Sequence, residues 1–384
     1  MNSMRMFLAG VFLLLFSSLV AQETPLWTRN PAISPDGKTI AFCYKGDIFL
    51  VSSTGGQATQ LTTHSAYDSH PIWSPDGKTI AFCSTRDGGR DLFTIPVTGG
   101  TPTRLTTFTS GAIPECFTPD GKKILYRSSI MPDEVYGQFP SGGQVYSIDL
   151  KGGRPEQFLT FEAYNICFNK TGNKILYHDK KGYEDEWRKH HTSSVCRDIW
   201  CYDLQNGTFT NLTDKQVEDR YPVIASDDNT IYFLSERFGD FNVCQMSLSD
   251  PKNIKQLTHF KKHPVRFLSR SNNDLLCFYY DGEIYTMQPG QQPQKVAIHL
   301  IMDNQEPTVS KYTWNGGARE IALSQDGKEF AFTNRGDVFV ANAEYGTTKR
   351  ITNTPAQERN LSFAPDGRSI VYASERDGQW NLYI

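Results

Sequence analysis

The 384-residue sequence lacks the local signatures of most catalytic and cofactor sites. It has no Gly-x-Ser-x-Gly elbow to raise a serine nucleophile, no His-Glu-x-x-His pair to hold zinc and no Gly-x-x-x-x-Gly-Lys-Ser/Thr phosphate loop. Its eight cysteines (Cys43, Cys83, Cys116, Cys167, Cys196, Cys201, Cys244 and Cys277) never fall as Cys-x-x-Cys, so a structural zinc site is not indicated. Charge of one sign is also missing. The net charge of -3 offers neither a basic surface for nucleic acid nor one for anionic lipid. Beyond the N-terminus no run is apolar enough to cross a bilayer. These absences predict no metal, no cofactor, no nucleic-acid partner and no membrane span in the mature chain.

What is present begins with a targeting signal. Arg5 supplies a positive start, Phe7 to Leu15 form an apolar core, and Ser17-Ser18-Leu19-Val20-Ala21 ends in a small residue before Gln22. This reads as a secretory signal over residues 1–21, with the mature protein exported across the inner membrane to the periplasm. Aromatics at 12%, with 30 glycines and 20 prolines, suit short strands and frequent turns.

Internal repetition decides the fold class. The unit Pro31-Ala-Ile-Ser-Pro-Asp-Gly-Lys-Thr-Ile-Ala-Phe42 returns forty residues later, beginning at Pro71. Further copies start near Phe117, Phe168, Ile224, Phe267, Leu323 and Phe363, making eight. Each has one grammar: an alternating strand, an Asp-Gly type turn, a second strand, a polar link, a third strand such as Asp47-Ile-Phe-Leu-Val51, a Gly-Gly or Asn-Gly turn, and a fourth strand ending Leu-Thr or Ile-Thr. Four strands in 40–45 residues is the period of a β-propeller blade, which must stack on neighbours to bury both faces. The chain is thus all-β. Residues 26–297 read as a six-bladed propeller of four-stranded blades, 298–317 as a linker without blade grammar, and 318–384 as the first blades of a second, seven-bladed propeller that is truncated at Ile384. The cysteines recur at strand positions and read as small buried hydrophobes; Cys196 and Cys201 are the nearest pair for a disulfide.

Candidate sites belong on loops that break the repeat. Blade topology sends the links between second and third strands to one face of the disk and the Asp-Gly and Gly-Gly turns to the other. Two such links are expanded in consecutive blades. One spans Ser128 to Gly143 and carries Met131, Tyr136 and Phe139. The other spans Lys180 to Ser194 and carries Glu184, Trp187, Arg188, His190 and His191. Adjacent histidines rarely reach one ion, so the second loop reads as salt-bridged or as a peptide or partner contact, not as a metal site. His64 and His70 flank Asp68, a pattern that more often caps strands than performs acid–base chemistry. The aspartates of the turns (Asp36, Asp76, Asp120, Asp326, Asp366) recur too often to be one active site and read as turn formers.

The repeat Ile-Ser-Pro-Asp-Gly-Lys-Thr-Ile-Ala-Phe, with Gly-Asp-Ile-Phe and Gly-Gly…Leu-Thr, is similar to that of the periplasmic Tol-system propeller, prolyl-oligopeptidase-type enzymes and tricorn-type proteases. Tyr345 to Arg359 continuing through Ser374 to Leu382, and the loop Glu184 to Ser194, resemble secreted tricorn-like proteases, and the likeness covers the mature chain. It implies two propellers ahead of a PDZ domain and a tail-specific-type serine peptidase core, the propellers gating peptide entry and product exit. No position matches the family's catalytic serine or histidine, so the resemblance implies that this chain alone does not hydrolyse peptides. Its partners are then peptides or the peptidase domains of the same protein, with a homo-oligomer as a further possibility. The alternative is a free-standing protein-binding propeller resembling the Tol-system protein. A prolyl-oligopeptidase relative fits less well, because residues 296–317 break the series.

Overall fold

A computed structural model describes residues 25–130, 143–183, 185, 187–188, 193–213, 217–300 and 316–384. Among them the regular structure is entirely β, arranged as successive antiparallel meanders of four strands and a last one of three. The inner strands of the first six sheets are Arg29–Ile33, Asp68–Trp73, Ile113–Phe117, Tyr164–Phe168, Asp219–Ile224 and Arg266–Arg270. Each packs against the next, and the sixth packs back against the first. The result is a β-propeller arrangement with sheets standing around an axis.

The repeat grammar has a physical counterpart at each position. In the Asp-Gly turn, Ser34 Oγ and the Lys38 N–H both donate to Asp36 Oδ1, at 2.6 and 3.0 Å. The same contacts recur at Asp76, Asp120 and Asp326. The Ser34 hydroxyl first, then the Lys38 amide, hold the Asp36 carboxyl below its usual range. Gly37 sits at φ +75°, where a side chain would be strained. Second and third strands trade aromatics across the register: Phe42 with Phe49, Phe82 with Phe93, Tyr126 with Tyr146, Phe278 with Tyr285. Their ring centroids lie 5.8–6.0 Å apart. Phe42, Phe82, Tyr126, Phe233 and Phe278 are among the largest fully buried side chains, so this position forms the core between sheets.

In five of the repeats the threonine that ends the fourth strand is a clamp. Thr62, Thr106, Thr213, Thr258 and Thr352 accept, on Oγ1, the N–H of Ile48, Leu92, Ile199, Val243 and Val338 at 2.8–2.9 Å. Thr106 also donates to Asp91 Oδ1 at 3.0 Å, and Thr258 to Asn242 Oδ1 at 2.9 Å. The clamp fixes the otherwise short outer strand to the start of the third.

The ring closes at the seam between sixth and first sheets. Trp27 and Thr28 N–H groups donate to the Gly282 carbonyl at 2.9 and 3.2 Å, and Asn272 N–H to that of Pro35 at 2.8 Å. The stretch expected to be linker begins differently: Ile298–Leu300 is a strand, paired parallel to Gly56–Gln60 as a fifth strand of the first sheet. The physical reason lies in its side chains. Ile298 and Leu300 complete a core of Ile40, Phe42 and Phe49 with Cys277 and Ile284 from the sixth sheet. After residue 315 a seventh sheet (inner strand Arg319–Leu323) packs against an eighth (inner strand Glu358–Phe363). All eight cysteines are free thiols; six are buried, and Cys116 and Cys167 are partly so.

Candidate functional site

The six inner strands enclose a channel with a cavity of about 780 Å³. Its lining follows from a shared backbone device. Asn30, His70, Asn165, Tyr221 and Phe267 occupy one position of the inner strand, and all have φ of +48° to +55°. The strand register slips around that residue in each case. The bulge turns these residues out of the ladder and toward the axis. The same conformation at Glu320 and Asn360 shows that it belongs to the blade design rather than to one active centre. The third sheet has Pro114 there, whose ring forbids positive φ, and Glu115 fills the place. Glu115 is tied to the Arg127 guanidinium and accepts the Asn165 N–H at 2.6 Å, so its charge is spent within the wall. The lining is therefore mixed, with prolines and apolar side chains such as Ile72, Trp73 and Phe267 beside Asn30, His70 and Asn165.

Inner strands begin on the face that carries the second-to-third strand links, and there Trp187, from the expanded link of the fourth sheet, reaches the sixth and first sheets. Trp187 lies against Phe267 of the sixth sheet, centroids 5.7 Å apart. The Arg29 and Arg266 guanidiniums approach its ring to 4.9 and 5.0 Å. A residue from the fourth sheet is thus held by the first and the sixth. Beneath it, Trp187, Arg188, Tyr221, Phe241 and Phe267 close over a small second cavity that shares Tyr221 and Phe267 with the channel.

Arg188 anchors this strap. Its side chain is 2% exposed, and Nη2 donates to Glu218 Oε2 at 3.2 Å and Glu236 Oε2 at 2.9 Å. Glu218 also receives Arg197 Nη1 at 2.8 Å and Arg220 Nε. The Arg188 carbonyl accepts from Arg266 Nη2 at 3.0 Å. Burial acts to lower the Arg188 pKa, but Glu236 and Glu218 outweigh it and raise the group above the ordinary guanidinium value. Burial does lower Arg266, whose guanidinium lies over the Trp187 ring. The loop was expected to be a salt-bridged segment; Arg188 is indeed paired, but with buried acids of the fifth sheet.

The other expected contact residues divide simply. Met131, Tyr136, Phe139, Glu184, His190 and His191 lie outside the described residues. Asp68 is buried and bonded to Arg86 Nη2 at 2.9 Å, while His64 Nδ1 accepts the Ala66 N–H at 3.0 Å. Asp68 and His64 thus serve strand and turn structure, whereas His70, whose Nδ1 pairs with Ser69 Oγ at 3.0 Å, lines the channel. The sequence reading missed the acids that matter most. Cys196, Glu218 and Glu236 bring potential ligand atoms within 4.8 Å of one another. Arg188, Arg197 and Arg220 already occupy those carboxylates, so the cluster is built as an anchor for arginine. Its one sequence signal is a Glu directly preceding the Asp that opens an inner strand, Glu218-Asp219.

Residues 25–293 match the family model described as the tricorn protease N-terminal β-propeller domain. The chain belongs to that family. It is similar to tricorn protease homolog 1 of Streptomyces coelicolor, 25% identical over 366 residues, covering 92% of this chain and 32% of the relative. A crystal structure of the tricorn protease has the same fold at a TM-score of 0.61 and 19% identity, covering 94% of this chain and 35% of that one. The Tol-Pal system protein TolB of Wolinella succinogenes is 26% identical over 118 residues, 27% of this chain and 28% of that protein. The chain spans about a third of the tricorn relatives it matches. Among the described residues no helix is long and apolar enough to cross a membrane.

Proposed function

We propose that this chain is the propeller portion of a secreted, periplasmic tricorn-like serine peptidase. Its role is to admit or release peptides by way of the axial channel, and hydrolysis belongs to a C-terminal core outside these residues. The observation that carries the reading is the channel of six inner strands with Trp187, from the fourth sheet, held against the channel-lining Phe267 of the sixth. The domain plan that accompanies it is a six-bladed ring over 26–297 and the opening of a second propeller over 318–384. Ile321 and Leu323 support that plan: they are 68% and 67% exposed, whereas Ile33, at the place of Leu323 in the first sheet, is 4% exposed. The peptides, the catalytic core and a homo-oligomer are the partners this reading calls for. The test compares the full-length protein with residues 22–384 on peptides of graded length. Full-length protein should cleave them and the shorter chain should not. Trp187→Ala in the full-length protein should change the ratio of rates for long and short peptides. Cleavage by residues 22–384 alone overturns the assignment.

A second reading, a free-standing protein-binding propeller, is favoured by the TolB similarity and by one feature of the link-bearing face. Leu26, Trp27, Tyr67, Tyr183 and Phe238 are exposed there. A gene that stops after the Ile384 codon favours this reading, and one that continues into a peptidase core favours the first.

A further inference from the structure

We propose that the seventh sheet is locked onto the second through a socket built for Lys349, so that the six-sheet ring and the segment after residue 316 form one rigid body. Lys349 lies on Thr348–Arg350, the outer strand of the seventh sheet. The outer strand Thr208–Asn211 of the fourth sheet, by contrast, faces solvent. Lys349 is instead fully buried, its Nζ 2.6 Å from Asp91 Oδ1, and both side chains are 0% exposed. A lysine withdrawn this far from water needs a partner fixed in place. Asp91 is so fixed: it also receives Thr106 Oγ1 and, at 2.9 Å, Arg104 Nη2. The repeat's own clamp residue thus doubles as the receptor.

The walls of the socket are glycine. A Cβ on Gly88 would stand 2.5 Å from the Thr348 carbonyl oxygen, and one on Gly89 would stand 2.5 Å from Lys349 Cε. The links of the fifth and eighth sheets have the same length and the same Ser-x-Arg-x-Gly opening, yet they place Asp240 and Gln379 where Gly89 stands. The glycine at 89 is therefore a requirement of the docked strand, not of the link. Around the socket, Arg104 Nη1 donates to the Arg350 carbonyl at 3.0 Å and Thr109 Oγ1 to Glu329 Oε1 at 2.5 Å. Five residues of the second repeat (Gly88, Gly89, Asp91, Arg104 and Thr109) and four of the seventh (Glu329, Thr348, Lys349 and Arg350) thus interlock, independently of any peptide gating.

The lock is tested by breaking it from either side in the chain of residues 22–384. Lys349→Glu sets a carboxylate against Asp91, and Gly89→Leu fills the socket without changing charge. Hydrogen–deuterium exchange is followed in peptides covering 85–91 and 348–351, with peptides covering Phe42 and Phe278 as reporters of the ring core; small-angle scattering reports overall extension. In the unaltered chain the junction peptides should be protected and the scattering that of one compact particle. Each variant should speed junction exchange at least tenfold, leave the ring reporters unchanged and enlarge the radius of gyration. The proposal is overturned if both variants behave as the unaltered chain, or if the unaltered chain already exchanges freely at the junction. It is equally overturned if both variants lose protection at Phe42 and Phe278, because the socket would then belong to the ring's own fold.

Discussion

Replacing Thr106 by valine tests whether the recurrent Leu-Thr ending is a clamp or only an outer strand. Valine keeps the shape and removes the hydroxyl. The Leu92 N–H, bonded to Oγ1 at 2.9 Å and buried, loses its acceptor. An orphaned buried amide costs about 2 kcal/mol. Asp91 loses one of three donors, a smaller penalty of about 1 kcal/mol because Arg104 and Lys349 remain. The added methyl returns about 0.8 kcal/mol through burial. The net cost is about 2 kcal/mol, which raises the local opening constant roughly thirtyfold. At Thr62 the bond to Asp47 is long, 3.4 Å, so Thr62→Val loses little besides the amide bond and should cost about 1 kcal/mol. Exchange of the Leu92 and Ile48 amides, read with urea unfolding, measures both. Thr106→Ser is the control, since it keeps both hydrogen bonds. If valine at 106 proves no more destabilising than serine, or if the two valine variants reverse in order, the clamp reasoning is wrong.

Further consequences follow from the strap, the seam and one buried acid. Arg188→Met strips Glu236 of its cation while Glu218 keeps Arg197 and Arg220; a loss of about 2 kcal/mol should appear as release of the strap, read as a red shift in Trp187 emission and faster trypsin cleavage near residue 189. Ile298→Ala opens the seam core and should cost about 2 kcal/mol in urea unfolding of the ring, whereas the same change at exposed Ile321 should cost under about 0.5 kcal/mol. Burial, with the Asp68 charge beside it, pushes Asp47 up to about 6. The folded chain therefore holds that proton more tightly than the unfolded chain, and this group's contribution to stability declines as pH rises from about 4 to about 6. Asp47→Asn should remove that decline, so the variant gains on the parent by on the order of 2 kcal/mol across the window, measurable as urea midpoints at pH 4 and pH 7.

Most of the blade architecture was legible because it is written eight times. The alternation into Pro-Asp-Gly, the Ala-Phe second strand and the Asp-Ile-Phe third strand each specify local geometry, and repetition removes the ambiguity that a single short apolar run would carry. The Leu-Thr ending was visible as a pattern, but its hydrogen bonds span about 14 residues and were not. Ile298-His-Leu300 looked featureless because a parallel strand pairs with residues 242 positions earlier, and three residues carry no period. The anchor of Arg188 was hidden for the same reason. Its acids sit on the next repeat, and only the packing of the fifth sheet against the fourth brings Glu218 and Glu236 to Arg188.

A ring of like repeats has no preferred sector, so anything specific must come from what breaks the likeness. Two kinds of break are visible here, and they use one economy. At the strap, the fourth link is lengthened, but its holding groups are acids at the opening of the fifth sheet, where Asp219 already pairs with Arg237 in the manner of Asp68 with Arg86. At the socket, the second link keeps its length and only trades a side chain for hydrogen at Gly89, with Asp91 retained from the clamp. In both cases a group that first stabilises a blade is given a second partner from elsewhere in the chain. Such a group cannot be removed without weakening its own sheet. The distinction between structural and functional residues therefore has to be drawn by partner, with Thr106→Val and Lys349→Glu removing different partners of the same Asp91. If the first weakens only the second sheet and the second frees only the junction, the two roles are separable. If either variant produces both effects, sheet and junction share one cooperative unit.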